Sequence, residues 1–159
     1  MTQRSAYEIN AIEGMRTLGA VYAYVAKSGL PKALLDLVYL RASQINGCAF
    51  CVDAHSHDLA GEGVVAEKLN LVAVWREAGA WFSATEGAAL AWTECITNIS
   101  VTHAPQADYD AARAHFDEKQ LADLTIAIGL INVYNRIAIA FRRPPNSLRK
   151  LSAAEPVSP

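Results

Sequence analysis

Apolar residues recur every three or four positions along most of this chain, and no alternation of apolar and polar residues continues for more than a few positions. This period is that of α-helices with one buried face, and the helix-favouring residues Ala, Leu and Glu are abundant. We therefore predict an all-α fold. Gly and Pro signals and candidate capping residues divide the pattern into helices at about 7–27, 31–45, 48–61, 64–77, 83–100, 108–115 and 117–141.

The last predicted helix, 117–141, is apolar on most of its faces. It must therefore lie either at the centre of the core or between subunits. Its most apolar part, 124–141, contains Asn132, Asn135 and Arg136, which argues against a membrane span.

A chain of 159 residues is most simply one domain, and we find neither an internal repeat nor a long linker. The run Arg142-Arg143-Pro144-Pro145 ends the last helix. We assign 1–142 to a single helical domain and 143–159 to a C-terminal tail that we expect to be frayed or disordered.

Composition adds expectations about partners and location. Hydrophobic residues make up 52% and charged residues only 19%, so some apolar surface is expected to lie between subunits. The net charge is −2 and the sequence has no basic cluster, so we expect no surface that binds nucleic acid or an acidic membrane. The N-terminal residues do not form a signal peptide, so we expect a cytoplasmic protein. Three cysteines, two of them in a CxxC motif, do not resemble a secreted disulfide framework.

The CxxC motif contains Cys48 and Cys51, and His55 follows four residues after the second cysteine. On one α-helix these three side chains lie within roughly 60° of one another, whereas His57 lies on the opposite side. Asn-Gly at 46–47 breaks the chain just before the motif, which places Cys48 in the first turn of a helix. Two thiols and an imidazole on one face can cycle between dithiol and disulfide.

The roles of the two thiols stay open at this point. The helix dipole and unpaired N–H groups favour the thiolate of Cys48, whereas Cys51 is spaced to give its proton to His55. Either thiol, once oxidised to a sulfenic acid, can condense with the other. Cys95 lies in an apolar helix, and we expect it to be a buried, inert thiol.

The segment RASQINGCAFC at 41–51, followed by His55, resembles the signature of the alkyl hydroperoxidase D-like family within the carboxymuconolactone decarboxylase superfamily. The resemblance covers about 11–142 and includes three supporting segments, 75–77, 88–94 and 132–136. It implies an all-α fold assembled as trimers or hexamers and a CxxC disulfide cycle that reduces peroxides. It also implies an external dithiol reductant, either lipoylated or thioredoxin-like, and no cofactor or metal.

Carried over by motif position, the resemblance implies that Cys51 attacks the peroxide, Cys48 resolves the intermediate and His55 relays protons. The family's relay also uses a glutamate twelve residues before the first cysteine, where this chain has Asp36. Asp36 is one methylene shorter, so we expect it to need a water to reach the thiol, and to couple only weakly to His55 unless a water bridges the two side chains. The alternative is that Asp36 belongs to a solvated helix face. The second departure from the family pattern is Phe50, which stands where well-studied relatives have histidine.

Four alternatives remain. The cysteines and His55 could be three ligands of a structural zinc, although no obvious fourth ligand is present, or the pair could be a non-enzymatic redox sensor. The cysteines could also be inert core residues. The last alternative is a carboxymuconolactone decarboxylase activity. Such an activity does not depend on a cysteine pair, so the CxxC motif argues against it. Elsewhere, we expect Trp75 and Trp92 to anchor the core or an interface, and Arg136 to be paired if it is buried, with a carboxylate such as Glu94 as one candidate partner.

Overall fold

The computed structural model describes residues 2–148, and within this range the chain forms nine α-helices and no strand. The helices are α1 Tyr7–Asn10, α2 Ile12–Ala26, α3 Lys32–Asn46, α4 Ala49–Gly61, α5 Ala66–Leu71, α6 Ala84–Thr97, α7 Ile99–Thr102, α8 Gln106–Arg113 and α9 Glu118–Ala140. Two 3₁₀ segments, Val72–Glu77 and Gly79–Trp81, connect α5 to α6. The predicted all-α fold is confirmed, and most of the predicted tail, 149–159, lies outside the described residues.

Two helices begin at capping boxes, in which the N-cap side chain and the residue three positions later satisfy each other's backbone N–H groups. Ser83 and Glu86 form this arrangement at the start of α6. Asp117 and Gln120 form it at the start of α9. Both starts were predicted from the capping residues.

Other boundaries differ from the predicted ones. The first predicted helix is divided at Ala11, whose φ of −122° and ψ of 41° lie outside the helical region. The predicted helix at 64–77 continues only to Leu71 and then becomes 3₁₀, with a non-helical backbone at Val74. Helix α6 ends at Thr97 rather than near 100, because the Asn98 side chain donates to the Glu94 carbonyl and so competes with the helical pattern.

Helix α3 is the centre of the fold and packs against α4, α6 and α9. Its buried side chains include Leu37, Val38 and Leu40. Helix α9 buries Leu124 and Ile128 in the same cluster as Val38, whereas Leu37 and Leu40 lie in a second buried cluster. By length and composition alone, α9 is the one helix of the described residues that could cross a membrane. Its packing against α2, α3 and α6 instead gives it the position of a core helix, as one of our two alternatives predicted.

A buried amide network joins the end of α3 to α9. Asn46 Nδ2 donates to Oδ1 of both Asn132 and Asn135 at 2.9 Å, and Asn135 Nδ2 donates to Ser43 Oγ at 3.0 Å. Asn135 and Ser43 are fully buried. Because buried polar groups are costly when left unpaired, the network fixes the position of the turn that follows α3.

Candidate active site

The cysteines of the CxxC motif lie at the turn between α3 and α4. Gly47 has φ 71° and ψ 31°, the left-handed conformation that favours glycine after a helix end. Cys48 is the N-cap of α4, and its Sγ accepts a hydrogen bond from the N–H of Cys51 at 3.3 Å. We predicted Cys48 inside the first helical turn. It lies one position earlier because its backbone, with φ −86° and ψ 93°, is extended like that of other capping residues.

Cys48 and Cys51 are joined by a disulfide, and their Cα atoms are 5.4 Å apart. Both residues are buried, with exposed fractions of 1% and 3%. Cys95 is a free, buried thiol in α6, and burial is the main cause that raises its pKa, with the Asp108 carboxylate adding to it. The described thiols therefore comprise one bonded pair and one separate, buried cysteine.

The third residue of the motif, His55, lies one turn further along α4 and contacts Asp36 of α3. Its Nδ1 is 3.1 Å from Asp36 Oδ1, and the Asp36 side chain is 4% exposed. We expected a water between the two residues, or a solvated face around Asp36. Both expectations are wrong because the close packing of α3 on α4 brings the shorter side chain into direct contact and buries it.

Asp36 is also bound from the surface side. Its Oδ2 accepts a hydrogen bond from Lys32 Nζ at 2.7 Å, and Lys32 forms a second ion pair with Glu62 at the end of α4. Burial alone would raise the pKa of Asp36, but the hydrogen bonds from His55 and Lys32 outweigh it and lower that pKa. Asp36 is therefore an anion at neutral pH.

The charge of Asp36 decides how His55 is oriented. An ionised carboxylate only accepts hydrogen bonds, so the Nδ1 atom of His55 must carry a proton in this contact. The lone pair of the neutral imidazole is then on Nε2. A buried carboxylate, an imidazole and a nearby thiol in this order are the groups needed to take a proton from the thiol.

Cys51 and His55 line the same cavity, which has a volume of about 220 Å³. The walls are mainly apolar and aromatic, and they include Tyr22, Tyr39 and Tyr134. The ring of Tyr39 packs with its centroid 5.0 Å from that of His55. Cys48 is not among the lining residues, so the cavity leads to the second cysteine of the motif.

Arg143 also lines this cavity, where it packs on the Phe50 side chain between the two cysteines. Its guanidinium carbon lies 4.0 Å from the Phe50 ring centroid, and its Nη1 is 3.0 Å from Tyr7 Oη and 3.1 Å from Glu8 Oε1. We had placed Arg143 in the tail and missed this role. The sequence carries no local signal for it, because the contact requires α1 and the segment after α9 to meet beside α4.

A metal could be held by Asp36, His55 and Asp58, which each offer a ligand atom within 4.8 Å of the others. The Lys32 ammonium already neutralises Asp36 at this place. The zinc alternative based on the CxxC motif needs two thiolates, which the disulfide form does not supply.

Arg136 is exposed, so the condition of burial under which we expected it to be paired is not met, and Glu94 is not its partner. Arg136 Nη1 donates to the carbonyl and the side chain of Asn132 in the preceding turn. Glu94 instead accepts hydrogen bonds from Arg41 at 2.8 Å, from Trp75 Nε1 at 2.9 Å and from Arg76. Glu94 thus belongs to a separate cluster that ties α3 and the 3₁₀ segment to α6.

Comparisons with known proteins agree with this fold. The family model described as "Carboxymuconolactone decarboxylase family" matches residues 13–94. The uncharacterised protein YdfG of Bacillus subtilis (strain 168) is 37% identical over 140 residues, which cover 88% of this chain and 95% of that protein. The chain also matches the alkyl hydroperoxide reductase AhpD of Methylocella silvestris over a shorter stretch. This match is 44% identical over 43 residues, which cover 27% of this chain and 24% of that protein.

A crystal structure from Agrobacterium tumefaciens is also similar over nearly the whole chain. It is described as a protein of unknown function and a putative antioxidant defence protein AhpD. It is 39% identical, covers 91% of this chain and 98% of its own, and superposes with a TM-score of 0.87. The chain therefore belongs to the carboxymuconolactone decarboxylase family and, within it, to the alkyl hydroperoxidase D-like proteins.

Proposed function

We propose that this protein is a thiol-dependent peroxidase in which Cys51 attacks the peroxide, Cys48 resolves the intermediate and His55 relays protons. One observation carries the proposal. Cys51 shares an apolar cavity with His55, while Cys48 is bonded to Cys51 but does not line that cavity. The same observation favours Cys51 over Cys48 as the attacking thiol, whereas the helix dipole alone would favour Cys48.

The cycle begins with the reduced protein. Neutral His55 takes the proton of Cys51 at Nε2, and Asp36 stabilises the resulting imidazolium through its contact with Nδ1. The thiolate attacks the terminal oxygen of R–O–OH, the O–O bond breaks, and the proton held by His55 goes to the leaving alkoxide. The products are R–OH and the sulfenic acid of Cys51.

The Cys48 thiol then condenses with this sulfenic acid and releases water, which gives the disulfide seen here. A thiolate of an external dithiol attacks the disulfide, and its second thiol breaks the mixed disulfide that forms. We infer that the reductant is a lipoylated or thioredoxin-like protein. The cycle uses no metal or cofactor, since both electrons come from the thiol pair.

We also propose a cytoplasmic homo-oligomer, a trimer or a hexamer. Large apolar side chains remain exposed on α9, among them Ile126 and Val133, which lie two turns apart on one face. Surfaces of this kind are typical of subunit contacts. A reducing compartment would keep the pair ready for the next peroxide.

The test is a stopped-flow measurement of hydroperoxide consumption by the reduced protein, combined with thiol titration and mass spectrometry. We expect each chain to consume one peroxide, lose two thiols and gain a Cys48–Cys51 disulfide, while Cys95→Ser behaves like wild type. Cys48→Ser should accumulate sulfenic acid at Cys51, and Cys51→Ser should react slowly.

Three results would contradict parts of this proposal. The opposite behaviour of the two serine variants would exchange the roles of the cysteines. A disulfide that includes Cys95 would overturn the pair. A stoichiometric zinc content in freshly purified protein, without peroxide consumption, would favour the structural alternative.

A further inference from the structure

The cavity beside Cys51 contains one feature that the peroxidase cycle leaves unused. Among the described residues that line it, Arg143 is the only one with a permanent charge. The other walls are largely aromatic or aliphatic, including Met15, Phe50 and Leu130. Peroxide reduction as written above needs no fixed cation, so the guanidinium calls for another explanation.

Arg143 is held in place by contacts that do not depend on its ion pair. Its backbone N–H donates to the carbonyl of Ala138 at 2.9 Å, in the turn that ends α9. Its guanidinium packs on Phe50 and donates to Tyr7 Oη at 3.0 Å. A cation positioned in this way by a ring and a backbone turn is ready for an anion before the anion arrives.

The acidic partner of Arg143 is replaceable. Glu8 Oε1 lies 3.1 Å from Nη1, and the two side chains are 38% and 34% exposed. Ion pairs with this much exposure contribute little to stability, because water and salt screen them. The carboxylate of a bound molecule can therefore replace Glu8 and accept two parallel hydrogen bonds from the planar guanidinium.

There is also room for such a group. Arg143 and Glu8 line a second, outer cavity of about 400 Å³ next to the inner one, together with Gln3, Pro145 and Asn146. A molecule could place an apolar body beside Cys51 and its charged end at Arg143. The inner cavity, about 220 Å³, is smaller than the ~300–1,000 Å³ of drug-sized ligand pockets, so the body must be compact.

We propose that this site selects small hydroperoxides that carry a carboxylate, and that Arg143 is the residue that receives this group. The inference rests on the proposed function and adds a substrate class to it. The apolar part fills the aromatic cavity, the hydroperoxide reaches Cys51 and His55, and Glu8 is the internal anion that the substrate carboxylate displaces.

The test compares cumene hydroperoxide with its derivative that carries a carboxylate at the para position. We expect kcat/KM for the carboxylate compound to exceed that for the neutral one. Arg143→Gln should reduce this ratio about tenfold, as expected for loss of a charged hydrogen bond, and mainly through KM. Arg143→Lys should restore part of the ratio, and Glu8→Gln should increase it.

Arg142→Gln is the matched control, since it removes the same charge from the neighbouring residue, which does not line the cavity. It should leave the ratio unchanged. An unchanged ratio in Arg143→Gln, or an equal fall in Arg142→Gln, would overturn the assignment.

A binding measurement separates this inference from the peroxidase proposal. We expect calorimetry to show tighter binding of 4-isopropylbenzoate than of 4-isopropylbenzyl alcohol, with a difference that Arg143→Gln abolishes. If neither hydroperoxide is reduced but this difference is found, the peroxidase proposal fails and the carboxylate site stands. If the two ligands bind equally to the wild-type protein, the carboxylate site is wrong whatever the peroxidase activity.

Discussion

Asp36 reaches His55 directly, although its side chain is one methylene shorter than the glutamate that the family resemblance places at this position. The missing length is supplied by the close packing of α3 on α4. Lys32 then holds the second carboxylate oxygen of Asp36. From these two contacts we propose that Asp36 positions the imidazole and does not act as an independent base.

We predict that Asp36→Asn slows peroxide-driven thiol oxidation by acting through His55. An asparagine has no charge to stabilise the imidazolium, so we expect a loss on the order of tenfold to a hundredfold, less than the ~10²–10⁴-fold of general base catalysis itself because His55 remains as the proton acceptor. In a His55→Ala background the same change should cost little, because the proton acceptor is already gone. The measurement is the oxidation rate of both single variants and the double variant. Additive barrier increments, or a silent Asp36→Asn, would remove Asp36 from the relay.

The same carboxylate gives a prediction about stability. The pKa of Asp36 is lowered from 3.8 in the folded protein, so its contribution is present above pH 3.8 and is lost as the pH falls through the lower folded value. Asp36→Asn should lower the free energy of unfolding by about 1–3 kcal/mol at pH 7, and this difference should shrink toward pH 3. Urea unfolding at both pH values tests this, with the exposed Asp110→Asn as a control that should change little at either. A difference that grows on acidification would contradict the assigned charge.

The sequence predicts some of these residues and not others for a physical reason. Cys48, Cys51 and His55 are within one helical segment, so local geometry is enough to group them. Asp36 required the family resemblance, because its partner is on another helix. The partnership of Arg143 with Phe50 had no signal at all, since it forms only when distant parts of the chain pack together.

At the level of elements, the turn between α3 and α4 sets the position of the redox pair. It combines the half-buried amide of Asn46, the left-handed Gly47 and the capping residue Cys48. These three residues are consecutive, so the backbone of Gly47 sets the direction in which Cys48 and α4 leave the turn. A change in the backbone at Gly47 is therefore expected to reach both thiols.

We predict that Gly47→Ala destabilises the protein by about 1 kcal/mol, because an L side chain is strained at φ 71°. Gly14→Ala is the matched control. Gly14 lies within α2 at a negative φ with nothing within 4 Å of an added Cβ, so alanine there should stabilise by roughly 0.5–1 kcal/mol. Chemical denaturation of the two variants provides the test. Equal effects at the two glycines would show that the turn is not strained by a side chain.

The predicted order of the helices is confirmed for the long elements, where the periodicity and the caps agree. Asp117 caps α9 as predicted, and of the two candidate caps for α6, Ser83 and Thr85, it is Ser83 that caps the helix. The breaks at Ala11 and Val74 were missed because neither residue is a glycine or a proline. Such breaks follow from tertiary packing, which overrides local propensity.

At the scale of the whole molecule, α9 combines a buried face in the core with an outer apolar face. The outer face includes Ile126 and Val133, which are 41% and 40% exposed. A low content of charged residues, 19%, fits a chain that covers part of its surface by association.

We predict that the protein forms oligomers whose mass is three or six times 17.2 kDa, and that Val133→Asp weakens them. A charge on this face would have to be buried without a partner. Light scattering after size-exclusion chromatography measures the mass. Val101→Asp, at a valine that is 80% exposed on α7, should leave the mass unchanged. A monomeric wild-type protein, or equal dissociation of both variants, would contradict this arrangement.

Cys95 gives the molecule an internal probe of its own opening. This thiol is 4% exposed, lies outside the disulfide pair and lines a surface cavity of about 540 Å³, so a labelling reagent too bulky for that cavity reaches it only when the surroundings of α6 open. Its labelling rate, relative to that of an unprotected thiol, therefore measures the free energy of this local opening. Because α6 also packs on α3, comparing the rates in the oxidised and reduced protein would show whether oxidation at one end of α3 stiffens the helix beside it.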